Sequence, residues 1–111
     1  MADLLTLSAD VIDGRLELDR AGPLNRINHT LSEINDGLAV VEAFSHCIAF
    51  QTDDGLVTFD TSNEHGGQRC VEAIRGWSDS RFNSLVFTHG HIDHVGGAGA
   101  FMADSASATV V

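Results

Sequence analysis

Thr88-His89-Gly90-His91-Ile92-Asp93-His94-Val95-Gly96-Gly97 is the stretch on which the reading of this 111-residue chain turns. Three histidines and a carboxylate fall within six positions, directly after Asn83-Ser84-Leu85-Val86-Phe87-Thr88, which reads as a strand. In an extended segment residues i and i+2 point to the same side. His89 and His91 can therefore present two imidazoles to one cation at about 2.0–2.1 Å, with no side chain on Gly90 between them. Beyond them the chain must turn, which aims Asp93 and His94 at a second position. Two positions about 3.5–4 Å apart would form a dinuclear site. Imidazole mixed with one carboxylate suits Zn²⁺ best, with Fe or Mn as the other candidates. A single His-x-His reads more simply as surface histidines in a polar loop; His-x-His-x-Asp-His after a strand and before Gly-Gly reads as metal binding.

Working outward, Leu38–Phe44 and Cys47–Gln51 read as strands, and Thr52-Asp53-Asp54-Gly55 is a hairpin turn. Leu56–Asp60 is a further strand, apolar enough to be covered on both faces. Thr61, Ser62 and Asn63 are all good N-caps for a helix from about Glu64 to Arg75, in which Cys70, Val71, Ile74 and Trp77 share one face. Ala98 to Ala103 reads as a short helix and Ser107–Val111 as the opening of a strand. Strand, helix, strand, helix, strand is an α/β order with helices on the outside of a sheet. Residues 1–36 carry weaker signals and are expected to be a lead-in, with residues 37–111 forming the domain proper. Cys47 and Cys70 fall on apolar faces and are expected to be buried thiols.

Composition narrows the function classes. Sixteen acids stand against six arginines and no lysine, a formal charge of −10. That surface disfavours nucleic acid, which needs clustered cations. No apolar run approaches a membrane span, and no signal-peptide pattern opens the chain, so a cytoplasmic location is expected. A small-molecule substrate is the expected partner.

Thr88 through Gly97 resembles the signature of the metallo-β-lactamase superfamily. The resemblance extends over roughly residues 37–104, where the hairpin, the strand ending in Asp60, the helix and the strand into the motif follow in the expected order. It implies the first half of an αβ/βα sandwich built on a mixed sheet. It also implies that His89 and His91 ligate a first metal and Asp93 and His94 a second, with two Zn²⁺ per intact domain. Asp93 would in addition orient the attacking water. Asp60 would hold the metal loop by hydrogen bonding rather than touch metal; taken alone, it reads equally as a helix cap. The family's remaining ligands come from the second half of its domain, whereas no histidine follows His94 and the only later acid is Asp104. The chain is therefore expected to be an N-terminal fragment. His65 would approach the rim of the site, and His29 and His46 would be structural or exposed.

Within the superfamily, the run Asn28-His29-Thr30-Leu31 to Phe59-Asp60-Thr61-Ser62, with the motif, is most similar to alkyl-sulfatase-related hydrolases. This implies sulfate-ester cleavage by a longer, homodimeric parent. The motif is also similar to that of glyoxalase-II-type thioesterases. A reading of another class is that these residues alone form an inactive half-domain with weak metal binding.

Overall fold

The computed structural model describes residues 3–18 and 26–111. Six strands form one sheet in sequence order: β1 (Leu31–Asn35), β2 (Leu38–Val41), β3 (Cys47–Thr52), β4 (Gly55–Phe59), β5 (Phe82–Val86) and β6 (Thr109–Val110). The helices are α1 (Leu4–Ile12), α2 (Glu64–Arg75), α3 (Ile92–Val95) and α4 (Ala98–Asp104). β1 to β4 are joined antiparallel by tight turns, and β4, β5 and β6 run parallel. Parallel neighbours need a crossover. α2 supplies the one between β4 and β5, and α3 with α4 the one between β5 and β6. The mixed sheet with outer helices agrees with the fold class read from the sequence.

Gly37 and Gly55 close two of the hairpins with φ of 75° and 115°, a region other residues enter at a cost. α2 begins where its sequence says it should: the Asn63 side chain accepts the N–H of Gly66 at 2.7 Å. It ends at Arg75, so Trp77 lies just past the helix rather than on its face, and its indole donates to Glu33 at 2.7 Å.

One strand face is covered by α2 and α4. Val41, Cys47, Ala49, Leu56 and Leu85 meet Cys70, Val71 and Ile74 of α2 and Phe101 of α4 in a single core. Phe82 and Phe101 pack at a tilt of 52° with ring centroids 4.8 Å apart. Cys47 and Cys70 are both buried, and burial pushes both thiols up, Cys70 to about 12. On the opposite face Val40, Ile48 and Phe59 lie side by side in register, with Phe50 beside Val57. These are only half-covered, so β4 is buried on one face and not on both as its composition suggests.

Two departures bear on the site. The strand expected over Leu38–Phe44 stops at Val41. Ala43–His46 turn instead, tied by His46 Nδ1, which lies 3.2 Å from the N and 3.1 Å from the O of Ala43. The sheet also takes in Leu31–Asn35, within the stretch expected as a lead-in, and α1 lies further upstream with no buried residue.

Candidate metal centre

Parallel strands β4 and β5 release the chain at the same edge of the sheet, because Phe59 stands opposite Val86. Crevices outside the carboxyl ends of parallel strands are where such sheets bind ligands. Asp60 follows β4 there, and Thr88 to His94 follow β5. β3 runs antiparallel to β4, with Ile48 opposite Phe59, so the turn before β3 reaches the same edge from the other side. That turn carries Ser45.

Asp60 is 6% exposed and has φ of 63°, a left-handed conformation uncommon outside glycine. Its carboxylate accepts the backbone N–H of Thr88 and the hydroxyl of Thr88, each at 2.8 Å, and its Oδ2 lies 2.6 Å from Nδ1 of His94. Burial pushes the carboxyl up, but these hydrogen bonds outweigh it and hold Asp60 below the ordinary carboxylate range. Thr61 then ties the far end of the loop, its N–H and hydroxyl reaching the carbonyl of His94 at 2.9 and 3.0 Å.

The loop closes on two glycines. A Cβ on Gly97 would sit 2.0 Å from the Thr61 carbonyl oxygen, and one on Gly67 would sit 2.6 Å from the Cα of Gly97. The start of α4 thus presses backbone to backbone against α2 and the Asp60 loop, which only glycine permits.

In this frame the four ligand candidates gather as pairs. His89 Nε2 is 3.1 Å from His91 Nδ1, and the ring of His89 also lies against that of His94, centroids 4.0 Å apart. Asp93 Oδ2 is 3.3 Å from His94 Nε2. Ser45 stands at this second pair, its hydroxyl donating to Asp93 Oδ2 at 2.7 Å and lying 3.2 Å from His94 Nε2. That hydrogen bond is the main influence holding the Asp93 carboxyl below its ordinary range.

These donors fit a divalent cation. Two nitrogens each about 2.05 Å from one ion stand roughly 3.3 Å apart at a tetrahedral angle, close to the separation in each pair. Proton accounting agrees. Asp60 accepts from His94 Nδ1–H, which leaves Nε2 of a neutral imidazole as a lone pair. Ser45 has one proton and gives it to Asp93. Asp93 Oδ2, His94 Nε2 and Ser45 Oγ therefore converge with more lone pairs than protons, an arrangement that a cation satisfies. Among the described residues no group of three or more His, Cys, Asp and Glu is arranged to hold a metal ion; the donors come in twos.

The other histidines lie apart from this cluster. His46 serves its own turn. His65 is exposed in the first turn of α2 and lines a cleft with His29 rather than joining the cluster. Ser45 is the residue that sequence reading missed: nothing in a lone serine between two strands signals that it reaches a residue 48 positions away.

The fold is similar to that of a metallo-beta-lactamase with a HARLDQ motif from Cronobacter sakazakii, at 18% identity and TM-score 0.67, over 78% of this chain and 32% of that one. It is similar to the MIM-2 metallo-beta-lactamase at 26% identity and TM-score 0.60, over 74% and 30% of the two chains. It is also similar to the stereoselective inverting sec-alkylsulfatase Pisa1 from Pseudomonas sp., at 22% identity and TM-score 0.62, over 74% and 14%. The chain thus spans about a third of the two lactamases and about a seventh of the sulfatase. No curated protein sequence matches it. No helix among the described residues is long and apolar enough to cross a membrane. Residues 40–108, more than half of the chain, match the metallo-beta-lactamase superfamily, and with the fold and the motif in agreement the chain belongs to that superfamily.

Proposed function

We propose that the protein acts as a metal-dependent hydrolase of an ester-type substrate, with His89 and His91 holding one divalent cation, Zn²⁺ by preference, and Asp93 and His94 a second. The observation that carries this reading is the pair of donor separations, 3.1 Å for His89 with His91 and 3.3 Å for Asp93 with His94. When bound, such cations activate water at neutral pH and polarise the bond under attack.

The chain's own residues do the positioning. Asp60 accepts the hydrogen bond from Nδ1–H of His94 and so fixes Nε2 as the nitrogen left with a lone pair for a metal. Thr88 holds Asp60 from both its N–H and its hydroxyl. Ser45 orients the Asp93 carboxylate, which we assign to aligning the attacking water. Sulfate ester is the favoured substrate because the segments from Asn28 to Leu31 and from Phe59 to Ser62, with the motif, resemble alkyl-sulfatase relatives. A thioester is the alternative.

A second reading has its own observation. Because the donors come only in twos among the described residues, the 111-residue chain by itself is proposed to bind metal weakly and to lack turnover. The test is hydrolysis of a secondary alkyl sulfate and of a thioester, by this chain and by any longer protein that contains it, with and without added Zn²⁺. Zinc-dependent turnover by such a longer protein alone supports both readings. Turnover insensitive to chelators contradicts the first, and fast turnover by the 111-residue chain contradicts the second.

A further inference from the structure

A second group of polar side chains lies beside the metal-centre residues and has no part in the reading above. His65 and Arg69 stand at i and i+4 on α2, so they share one face of the helix, and both are exposed. They line an open cleft of about 420 Å³ together with His29, Asn63 and the half-exposed Ile27 and Phe44. Arg69 is the formally charged residue of this lining, and Glu72 lies with it and His29 in the adjoining cleft.

Three features point to a ligand. Among the described residues no carboxylate pairs with Arg69, whereas Arg15, Arg26 and Arg75 all have acidic partners. Glu42, whose carbonyl receives the His29 N–H at 2.7 Å, has its own carboxylate engaged by Arg26 at 2.8 Å. The His29 imidazole is held low by burial and then by the charge of Arg69, which keeps it a neutral hydrogen-bonding ring beside that guanidinium. His29 also has φ of 54°, a conformation a non-glycine residue keeps only where its surroundings enforce it. The enforcement is visible: the bond to Glu42 fixes one side, and the Asn28 side chain accepts the Thr30 N–H at 2.9 Å on the other.

The cleft adjoins the candidate metal centre. Phe44 in its wall immediately precedes Ser45, which bonds to Asp93. The carbonyl carbon of Asn63 lies 3.4 Å from where a Cβ on Gly96 would stand, two residues after His94. We propose that the cleft binds the non-reacting end of the substrate: an oxyanion such as a carboxylate or sulfate, taken by His29, His65 and Arg69, joined to an apolar segment resting on Ile27 and Phe44. Calling this ligand a substrate rests on the hydrolase reading; the binding itself needs no metal.

The test uses hexanoate and 1-hexanol as probes, titrated into the chain in EDTA and followed by amide NMR shifts at residues 27–29, 44 and 63–69. Hexanoate is expected to saturate these shifts and to bind about tenfold or more tightly than hexanol, as one charge-assisted contact provides. Arg69→Ala, at an exposed helical position that tolerates alanine, is expected to remove most of that preference, and His29→Asn, which keeps the left-handed backbone, to weaken it. Equal affinity for the two probes, or unchanged hexanoate binding in Arg69→Ala, overturns the proposal. Since EDTA keeps metal out, intact binding alongside absent hydrolysis would count only against the metal-dependent reading.

Discussion

Asp60 Oδ2 and His94 Nδ1 lie 2.6 Å apart although 34 residues separate them in the chain. The same carboxylate holds Thr88, so one buried acid fixes both ends of the loop that carries every ligand candidate. A carboxylate on the outer nitrogen of a histidine sets its tautomer and raises its basicity as a ligand.

Asp60→Asn separates that role from a merely structural one. Asparagine tolerates the left-handed backbone and can still accept from Thr88. Its amide, however, can offer a proton to His94 Nδ1, which moves the imidazole proton to Nε2, the nitrogen facing Asp93. The fold should lose only about 1 kcal/mol, while zinc affinity should fall on the order of 10–100-fold. Chemical denaturation and competition with a chromophoric chelator measure the two effects; an unchanged zinc affinity would remove Asp60 from the centre.

Ser45→Ala addresses the Asp93 carboxylate. Its donor is the main reason the Asp93 pKa lies below the ordinary 3.8. A lowered carboxyl contributes stabilisation that is fully present above the ordinary value and is lost as pH falls through the lower, folded one. Removing the hydroxyl should therefore raise the Asp93 pKa toward 3.8, so that protonation begins at higher pH. Carboxyl ¹³C titration by NMR reads this directly. A pKa that stays put in the alanine variant would mean that the hydrogen bond is not what holds Asp93.

Gly97→Ala tests the backbone contact behind the loop. The new methyl would lie 2.0 Å from a fixed carbonyl oxygen, so the loop or α2 must move. A cost of about 3 kcal/mol or more is expected from overpacking of this severity, which for a chain of this size lowers Tm by roughly 10 °C or more. Gly99→Ala, where a Cβ meets nothing within 4 Å on α4, should be neutral or stabilising by about 0.5–1 kcal/mol. Similar melting of both variants would contradict the close approach.

Much of this arrangement was legible in the sequence, and for local reasons. The i, i+2 spacing of His89 and His91 and the Asn63 cap of α2 depend on neighbours a few positions away, so patterning exposes them. β1 was harder to see because a register shift between Glu33 and Asn35 breaks the period of two that would mark Leu31–Asn35 as a strand. α1 has Leu4, Leu7 and Val11 at i, i+3 and i+7, but the interleaved Leu5 and Ile12 are exposed and blur that stripe. Ser45 and the His29 cleft were invisible for a different reason. Each is assembled by the antiparallel return of the chain to one sheet edge, and no spacing within the sequence encodes that. The expected strand to Phe44 even hid Ser45, since the turn at Ala43–His46 depends on a contact of His46 with its own backbone.

The central claim is that the cluster is two separate donor pairs. Zinc stoichiometry of a protein in which this chain stands with the superfamily's second half-domain, measured for the wild type, His91→Ala and His94→Ala, tests it most directly. The account predicts two tightly held ions in the wild type and one in each variant, with the remaining ion retained at near-native affinity. Variants that keep both ions, or a wild type that binds none, would contradict it.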